Sequence, residues 1–428
     1  MQIFESKSKL PITMFGDVLK GIFRHLKIEK QSFFLRANFF IPNFTCLISP
    51  MAGIYLHIPF CRQACHYCNF HFSTILKYKD AFIKSLLKEI DLQKNYLGGE
   101  TVSTIYFGGG TPSLLTYDEV MLIFEKLAQN FSIDSAAEIT LEANPDDLSK
   151  QKIKELKRTP VNRLSIGVQS FFDDDLQLMN RAHRANEATR SVNEAADSGF
   201  ENITIDLMYA LPTLTNEKWI QNLQTAFALP VQHLSCYNLT VEEQTALAKF
   251  IKQGKITAVD ENRAVEQFQL LIKAAAENGF EQYEISNFAR NEKYSKHNSS
   301  YWKGENYLGL GPSAHSYNGI SRQWNVANNQ IYISSLEKSE LNFEKEILKK
   351  ETLYNEYVMT SLRTKWGTDS DHIKNKFGKS FADYFETNIS VFVAKGEVNR
   401  DKNIFRLSDT GKLMADQIAS ELFWVDEK

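Results

Sequence analysis

The chain has 428 residues, 43% of them hydrophobic and 24% charged, enough apolar content for a full core and too little charge for a disordered chain. Forty-nine basic against 52 acidic residues leave a net charge of -3, so no global positive field draws nucleic acid or an anionic membrane surface. The longest stretch without Asp, Glu, Lys or Arg, from Ala37 to Cys61, carries Pro42, Pro50 and Pro59, and charges throughout the first thirty residues leave no secretory apolar core. Both features point to the cytoplasm.

Residues 1–50 are rich in Phe and Lys without a clear period, and are expected to be an N-terminal extension, disordered or a start-site artefact. From Met51 the sequence reads as folded. β-Branched runs at Gly53–Ile58, Ser103–Phe107, Glu138–Leu141, Arg163–Val168, Asn202–Leu207 and His233–Tyr237 predict strands. Between and after them, helical periods run over Tyr78–Tyr96, Tyr117–Phe131, Glu187–Ser198, Asn216–Ala228 and Asp260–Asn278; Val120, Ile123, Phe124 and Leu127 give one buried helix face. Six strand-then-helix units predict an α/β fold with a parallel sheet and right-handed crossovers. Six units are two short of the eight that close a barrel, so a partial (β/α)6 barrel over residues 51–285 is expected, with function at the C-terminal strand ends. A connecting segment, 286–340, follows. Residues 341–428 then predict a small helical, winged-helix-like domain. Its helices are expected over Glu346–Arg363, Asp369–Phe377 and Phe381–Thr387, with a hairpin at Glu397–Leu407 and a final helix opened by Ser408. Acidic residues are mixed through that domain, and its shape alone implies no DNA role.

Five cysteines are few for this length. Cys61, Cys65 and Cys68 fall within eight residues, directly after the first strand; Cys46 and Cys236 stand alone. A disulfide framework would spread its pairs, so the trio reads as a metal site. One reading is a structural zinc with His57, His66 or His71 as fourth ligand. The other is an iron–sulfur cluster held by three thiolates, with one iron left open. Structural zinc ordinarily needs a second cysteine pair, and none exists here, which favours the cluster.

Gly108-Gly109-Gly110-Thr111 ends the second strand on the same rim, and its small residues offer close approach and exposed N–H groups to a carboxylate. An ordinary turn would look similar if it stood alone. Glu142, Gln169 and Asp206 end three further strands, and Arg181 follows the fourth. Singly, each is an N-cap or a loop hydrogen bond; together they suit a ribose, an ammonium and a carboxylate. Cys236 sits in an apolar strand as a core thiol.

The Cys-x3-Cys-x2-Cys loop resembles the radical S-adenosylmethionine superfamily. The resemblance implies a [4Fe-4S] cluster on Cys61, Cys65 and Cys68 whose open iron chelates S-adenosylmethionine. Tyr67 would lie on the adenine, and the glycine stretch with Gly109, Gly110 and Thr111 would meet the amino-acid end. Within that superfamily, Tyr55-Leu-His-Ile-Pro-Phe-Cys61, Gly108-Gly-Gly-Thr-Pro-Ser113, Ser165-Ile-Gly-Val-Gln169, Ile205-Asp-Leu and Gly309-Leu-Gly-Pro-Ser-Ala-His-Ser316 resemble the coproporphyrinogen dehydrogenase-like branch, from Met51 to the C-terminus. The dehydrogenases carry a further cysteine two residues after the third; this chain has Asn69-Phe70. The haem chaperone branch carries His-Asn-x-x-Tyr-Trp, as do His297, Asn298, Tyr301 and Trp302 here. That branch implies haem as cargo and a haem-acceptor protein as partner, with transient contact where the acceptor sits in a membrane. His297 would offer iron an axial imidazole, with Tyr301 and Trp302 against the macrocycle. The same residues also describe a loop anchored in a core, and His315 competes as ligand or cofactor contact. The alternative activity is oxygen-independent oxidative decarboxylation of coproporphyrinogen III; a zinc-stabilised binding module is the third reading.

Overall fold

The computed structural model describes residues 51–425, so the expectation for residues 1–50, and Cys46 with it, lies outside the described residues. β1 (Met51–Ile58) opens a series of crossovers through α1 (Lys79–Leu92), β2 (Thr101–Gly109), α2 (Tyr117–Asn130), β3 (Ile133–Ala143), α3 (Lys150–Lys157) and β4 (Arg163–Gln169). The series continues through α4 (Asp173–Leu178), α5 (Ala185–Asp197), β5 (Ile203–Tyr209), α6 (Asn216–Ala228) and β6 (His233–Asn238). β1 to β6 pair in chain order and in parallel. The expected (β/α)6 sheet is therefore present.

Its strands form because they are apolar on one face and selectively polar on the other. Ile54, Leu56 and Ile58 on β1, Ile105 and Phe107 on β2, and Ile205 and Leu207 on β5 are fully buried on the helix side. Each such side chain contributes about 1.5–3 kcal/mol. The alternate positions Tyr55, His57, Tyr106, Glu142 and Asp206 face the concave side, where the period-two rule puts them. Hydrophobic spacing thus aims the site.

The barrel does not close, and both edges are extended. After α7 (Ala246–Lys252) and α8 (Glu261–Glu277), β7 (Glu281–Gln282) and β8 (Asn287–Ala289) pair antiparallel beyond β6. α9 (Lys296–Trp302) packs on β1 and β2. β9 (Tyr307–Leu310) pairs parallel with β1, and β10 (His315–Tyr317), β11 (Ser321–Asn325) and β12 (Phe343–Ile347) follow antiparallel, α10 (Asn329–Glu337) lying between the last two. The stretch read as a connecting segment thus supplies four strands of one twelve-stranded sheet. The helix expected from Glu346 begins at Lys350 instead. Residues 343–347 are drawn into the sheet edge by pairing with β11, a non-local contact that local periodicity does not register.

A second core gathers Tyr354, Phe377, Phe385, Ile389 and Phe405. It is built from α11 (Lys350–Leu362), α12 (Ser370–Phe377), α13 (Lys379–Ala394) and the sheet of β13 (Thr368–Asp369), β14 (Val398–Asp401) and β15 (Ile404–Leu407), followed by α14 (Asp409–Lys412) and α15 (Ala415–Glu421). Ser408 caps α14 as expected. Among the described residues no helix is long and apolar enough to cross a membrane.

Candidate metal and cofactor centre

The cysteine loop leaves β1 at Pro59 and is pinned at several points. Cys61 N–H donates to Ser73 O (3.1 Å), Ser73 N–H to Pro59 O (2.8 Å), and His66 N–H to Met179 O (3.0 Å). The His66 ring donates from Nδ1 to Leu178 O (2.8 Å) and stands edge-on to Phe250. All three thiols are free and partly exposed. Burial raises the Cys61 thiol above its usual range and pushes Cys68 up to about 12, with the neighbouring Cys65 raising both further. These two thiols resist becoming thiolates until a positive centre compensates them, which is what an iron–sulfur cluster supplies.

Around the thiols runs a chain of hydrogen bonds. The Thr111 hydroxyl bonds the Cys61 thiol and accepts from Asn144 Nδ2 (3.3 Å). Asn144 Oδ1 accepts from Arg181 Nη2 (2.6 Å), and Arg181 Nη1 donates to Cys65 Sγ (3.4 Å). Arg181 Nη2 also reaches Gly167 O (2.7 Å). Two thiols are thereby connected through three side chains. Asn144 went unread in the sequence, where Asn-Pro signals only a turn.

The glycine turn lies where expected, yet its amides are already used. Gly109 N–H donates to Glu142 Oε2 (3.1 Å), Gly110 N–H to Ile58 O (2.9 Å) and Thr111 N–H to Phe60 O (2.7 Å). The idea of exposed N–H groups awaiting a carboxylate is corrected. Glycine is required here because a Cβ on Gly110 would lie 2.7 Å from both the Ile58 and Phe60 carbonyl oxygens, and Gly109 has a φ of +105° with the His57 ring 2.6 Å away.

The strand-end groups converge. Glu142 accepts from Tyr106 OH (2.8 Å), and burial with the Asp206 carboxylate opposite pushes it up to about 7. Burial pushes Asp206 up to about 6, against hydrogen bonds from Ser235 and Ser165 and the charges of Arg163 and Arg181. Tyr67 feels Cys65, Cys68, Arg181 and Asp206 at once, between the cysteine loop and the end of β5. Gln169 closes β4 at a φ of +67°, a strained conformation for a side-chain-bearing residue, and its amide packs beside Gly167. Tyr55 lines the wall between His57 and Tyr106.

His297 lies deep in the protein. It is 1% exposed and lies at the inner face of the sheet, stacked on Tyr106 with ring centroids 5.0 Å apart. Nδ1 bonds Thr104 Oγ1 (2.8 Å), Nε2 bonds Tyr301 OH (3.0 Å), and its backbone N–H reaches Glu138 (3.0 Å). Asn298 and Trp302 are buried beside it on α9. Both ring nitrogens are thus hydrogen-bonded within the protein, and the motif's four residues pack α9 under the sheet.

Nor do the histidines suit zinc. His57 uses both ring nitrogens, on Tyr55 OH (3.2 Å) and His71 O (2.8 Å); His71 Nε2 is held by Asn329 Oδ1 (2.7 Å). Among the described residues no three His, Cys, Asp or Glu side chains crowd together as a single-ion site. A single zinc with bonds of about 2.3 Å needs that crowding, whereas a cubane spreads its irons over separate corners. The donors fit the cluster.

A partial parallel barrel with three thiols on its first loop, a glycine turn beside them and carboxylates at later strand ends defines the radical S-adenosylmethionine class of fold. Residues 55–226 match the model of the Radical SAM superfamily, and residues 348–414 that of the HemN C-terminal domain. The chain is 33% identical over 372 residues to the heme chaperone HemW of Bacillus subtilis (strain 168), covering 86% of this chain and 98% of that protein. It is 32% identical to the heme chaperone HemW of Lactococcus lactis subsp. lactis (strain IL1403), covering 87% and 97%. The fold matches that of coproporphyrinogen III oxidase (HemN) from Escherichia coli with a TM-score of 0.77 and 24% identity, over 88% and 90% of the two chains. The chain belongs to the HemW family of the radical S-adenosylmethionine superfamily.

Proposed function

We propose that this protein binds haem and passes it to an acceptor protein. The observation that carries the reading is the match to HemW chaperones along nearly their whole length, 98% of the Bacillus subtilis protein. Asn69-Phe70 in place of the dehydrogenases' additional cysteine supports it. In this reading Cys61, Cys65 and Cys68 hold a [4Fe-4S] cluster that supplies, when bound, one open iron and a one-electron redox centre. Arg181 balances the charge at Cys65. Tyr67 lies over the adenine, and Glu142 and Asp206 accept hydrogen bonds from the ammonium and ribose of S-adenosylmethionine. Gln169 completes that shell, while Gly109, Gly110, Thr111 and Tyr55 shape the wall. Delivery takes place in the cytoplasm, with transient contact where the acceptor is membrane-bound.

Anaerobic reconstitution tests this. The reconstituted protein, titrated separately with haem and with coproporphyrinogen III, is expected to bind haem in near-stoichiometric amount by Soret absorbance and to form no protoporphyrinogen. Protoporphyrinogen appearing as S-adenosylmethionine is consumed would replace the chaperone with the dehydrogenase.

A further inference from the structure

Residues 61–72 form no helix or strand, so the relative places of Cys61, Cys65 and Cys68 come from what ties their loop down. A cluster held by three thiolates needs those sulfurs at fixed corners of one body, and the groups behind the ligands supply that constraint. The middle of the loop is fastened to the turn after α4. Gln63 Nε2 donates to Asn180 Oδ1 (2.9 Å), and Asn180 Nδ2 donates to Ala64 O (2.7 Å). The Cys61 end is held by a charge: Arg62 Nε donates to Asp147 Oδ1 (2.9 Å).

Asp147 closes the short turn that follows β3, where its N–H donates to Asn144 O (3.1 Å). Its side chain is 3% exposed, whereas that of Arg62 is 65% exposed. The second carboxylate oxygen, Oδ2, accepts from Ser113 Oγ (2.8 Å), two residues past Thr111 on the glycine turn. Burying a carboxylate is costly unless a cation and hydrogen bonds meet it, and here the ion-pair partner comes from the cysteine loop. The same turn serves the other side through Asn144, which reaches Cys61 by way of Thr111 and Cys65 by way of Arg181. One turn therefore joins the cysteine loop, the glycine turn and the segment after β4.

We infer that Asp147 is a positioning residue for the cluster: through Arg62 it holds the Cys61 end of the loop against the glycine turn, so that the three sulfurs keep one spacing. The pair is neutral as a whole and fixes the loop without adding net charge beside the thiols. Breaking it from its two sides has opposite electrostatic results. Loss of the carboxylate leaves the Arg62 charge uncompensated, and loss of the guanidinium leaves the Asp147 charge uncompensated. The inference rests on the cluster and is independent of haem binding.

The test compares the anaerobically reconstituted full chain with Asp147→Asn, Arg62→Gln, Arg62→Lys and the double variant Asp147→Asn, Arg62→Gln. Two quantities are read: the rate of cluster loss to a ferrous-iron chelator and the midpoint potential of the cluster at low ionic strength. Asp147→Asn keeps an acceptor for Ser113 and Arg62 is exposed, so the urea midpoint of the cluster-free chain is expected to stay near the parent's. Asp147→Asn and Arg62→Gln are each expected to speed cluster loss by about tenfold. The double variant is expected to lose its cluster no faster than either, because both changes break one bond, and Arg62→Lys is expected to recover most of the difference. The potential is expected to rise in Asp147→Asn and to fall in Arg62→Gln. Should Asp147→Asn fail to fold, Arg62→Gln and its recovery by Arg62→Lys carry the test. Cluster loss at the parent's rate in Arg62→Gln, additive rates in the double variant, or potentials moving the same way in both single variants would overturn the inference and leave the cluster in place. A parent that takes up no cluster on reconstitution would overturn both.

Discussion

Arg181 shows how much one side chain can organise. It donates to a thiol, an amide oxygen and a backbone carbonyl, so its charge is fixed where three partners are satisfied at once. Glu142 and Asp206 are the opposite case: two buried carboxyls whose desolvation outweighs the hydrogen bonds and arginine charges around them. Because the folded state raises both above their ordinary values of 4.5 and 3.8, it retains protons that the unfolded chain has already released. The contribution of these two carboxyls is therefore fully present below the ordinary carboxylate range and is lost as pH rises toward about 7, by on the order of 2–3 kcal/mol for Glu142 alone. Urea unfolding of the parent and of Glu142→Gln at about pH 5 and about pH 8 isolates it: the variant is expected to gain on the parent by about that amount at the higher pH, and an equal pH slope in the two proteins would show that Glu142 does not contribute. Glu142, Asp206 and Arg181 were visible in the sequence because strand ends carry function in this architecture. Asn144 was not, since a residue that bridges two others has no spacing of its own.

At the level of elements, the tightest constraint is the turn after β2. Gly110→Ala would set a methyl against two carbonyl oxygens and the Phe60 amide, all fixed backbone, so it is expected to cost about 2 kcal/mol or more, measured by denaturant midpoint. A midpoint equal to the parent's would mean that the β1 exit loop yields freely. This turn was legible in position and misread in purpose, because a sequence shows glycine but not which atoms its missing side chain makes room for. The six parallel strands and the long helices α1, α2, α5, α6 and α8 were readable because each repeats an apolar spacing over several turns or alternations. α3, α4 and α7 were too short to show one. β12 was missed for another reason: its Glu344 and Glu346 match a solvent-exposed helix, and only their neighbours Trp324 and Arg322 make a strand of them.

For the whole molecule, the C-terminal domain is fastened to the extended sheet by Arg322 of β11 and Glu356 of α11, 2.9 Å apart and 12% and 16% exposed. Lys365 with Glu281 adds a second tie at the far edge (2.6 Å). Arg322→Met strands the Glu356 carboxylate and is expected to destabilise by about 2–4 kcal/mol, with much of that recovered in the Arg322→Met, Glu356→Leu double variant. Chemical denaturation of the single and double variants measures it, and a neutral single variant would show that the domain does not depend on this pair.

The pairing of β1 with β9 also sets a timetable. Gly53 is among the earliest folded residues to leave the ribosome, yet its neighbour Tyr307 is synthesised 254 residues later. At about 5–20 residues per second, the leading strand waits on the order of tens of seconds with one side bare. During that interval the nascent chain carries an unpaired strand edge, so mispairing is a hazard of translation rather than of the finished protein.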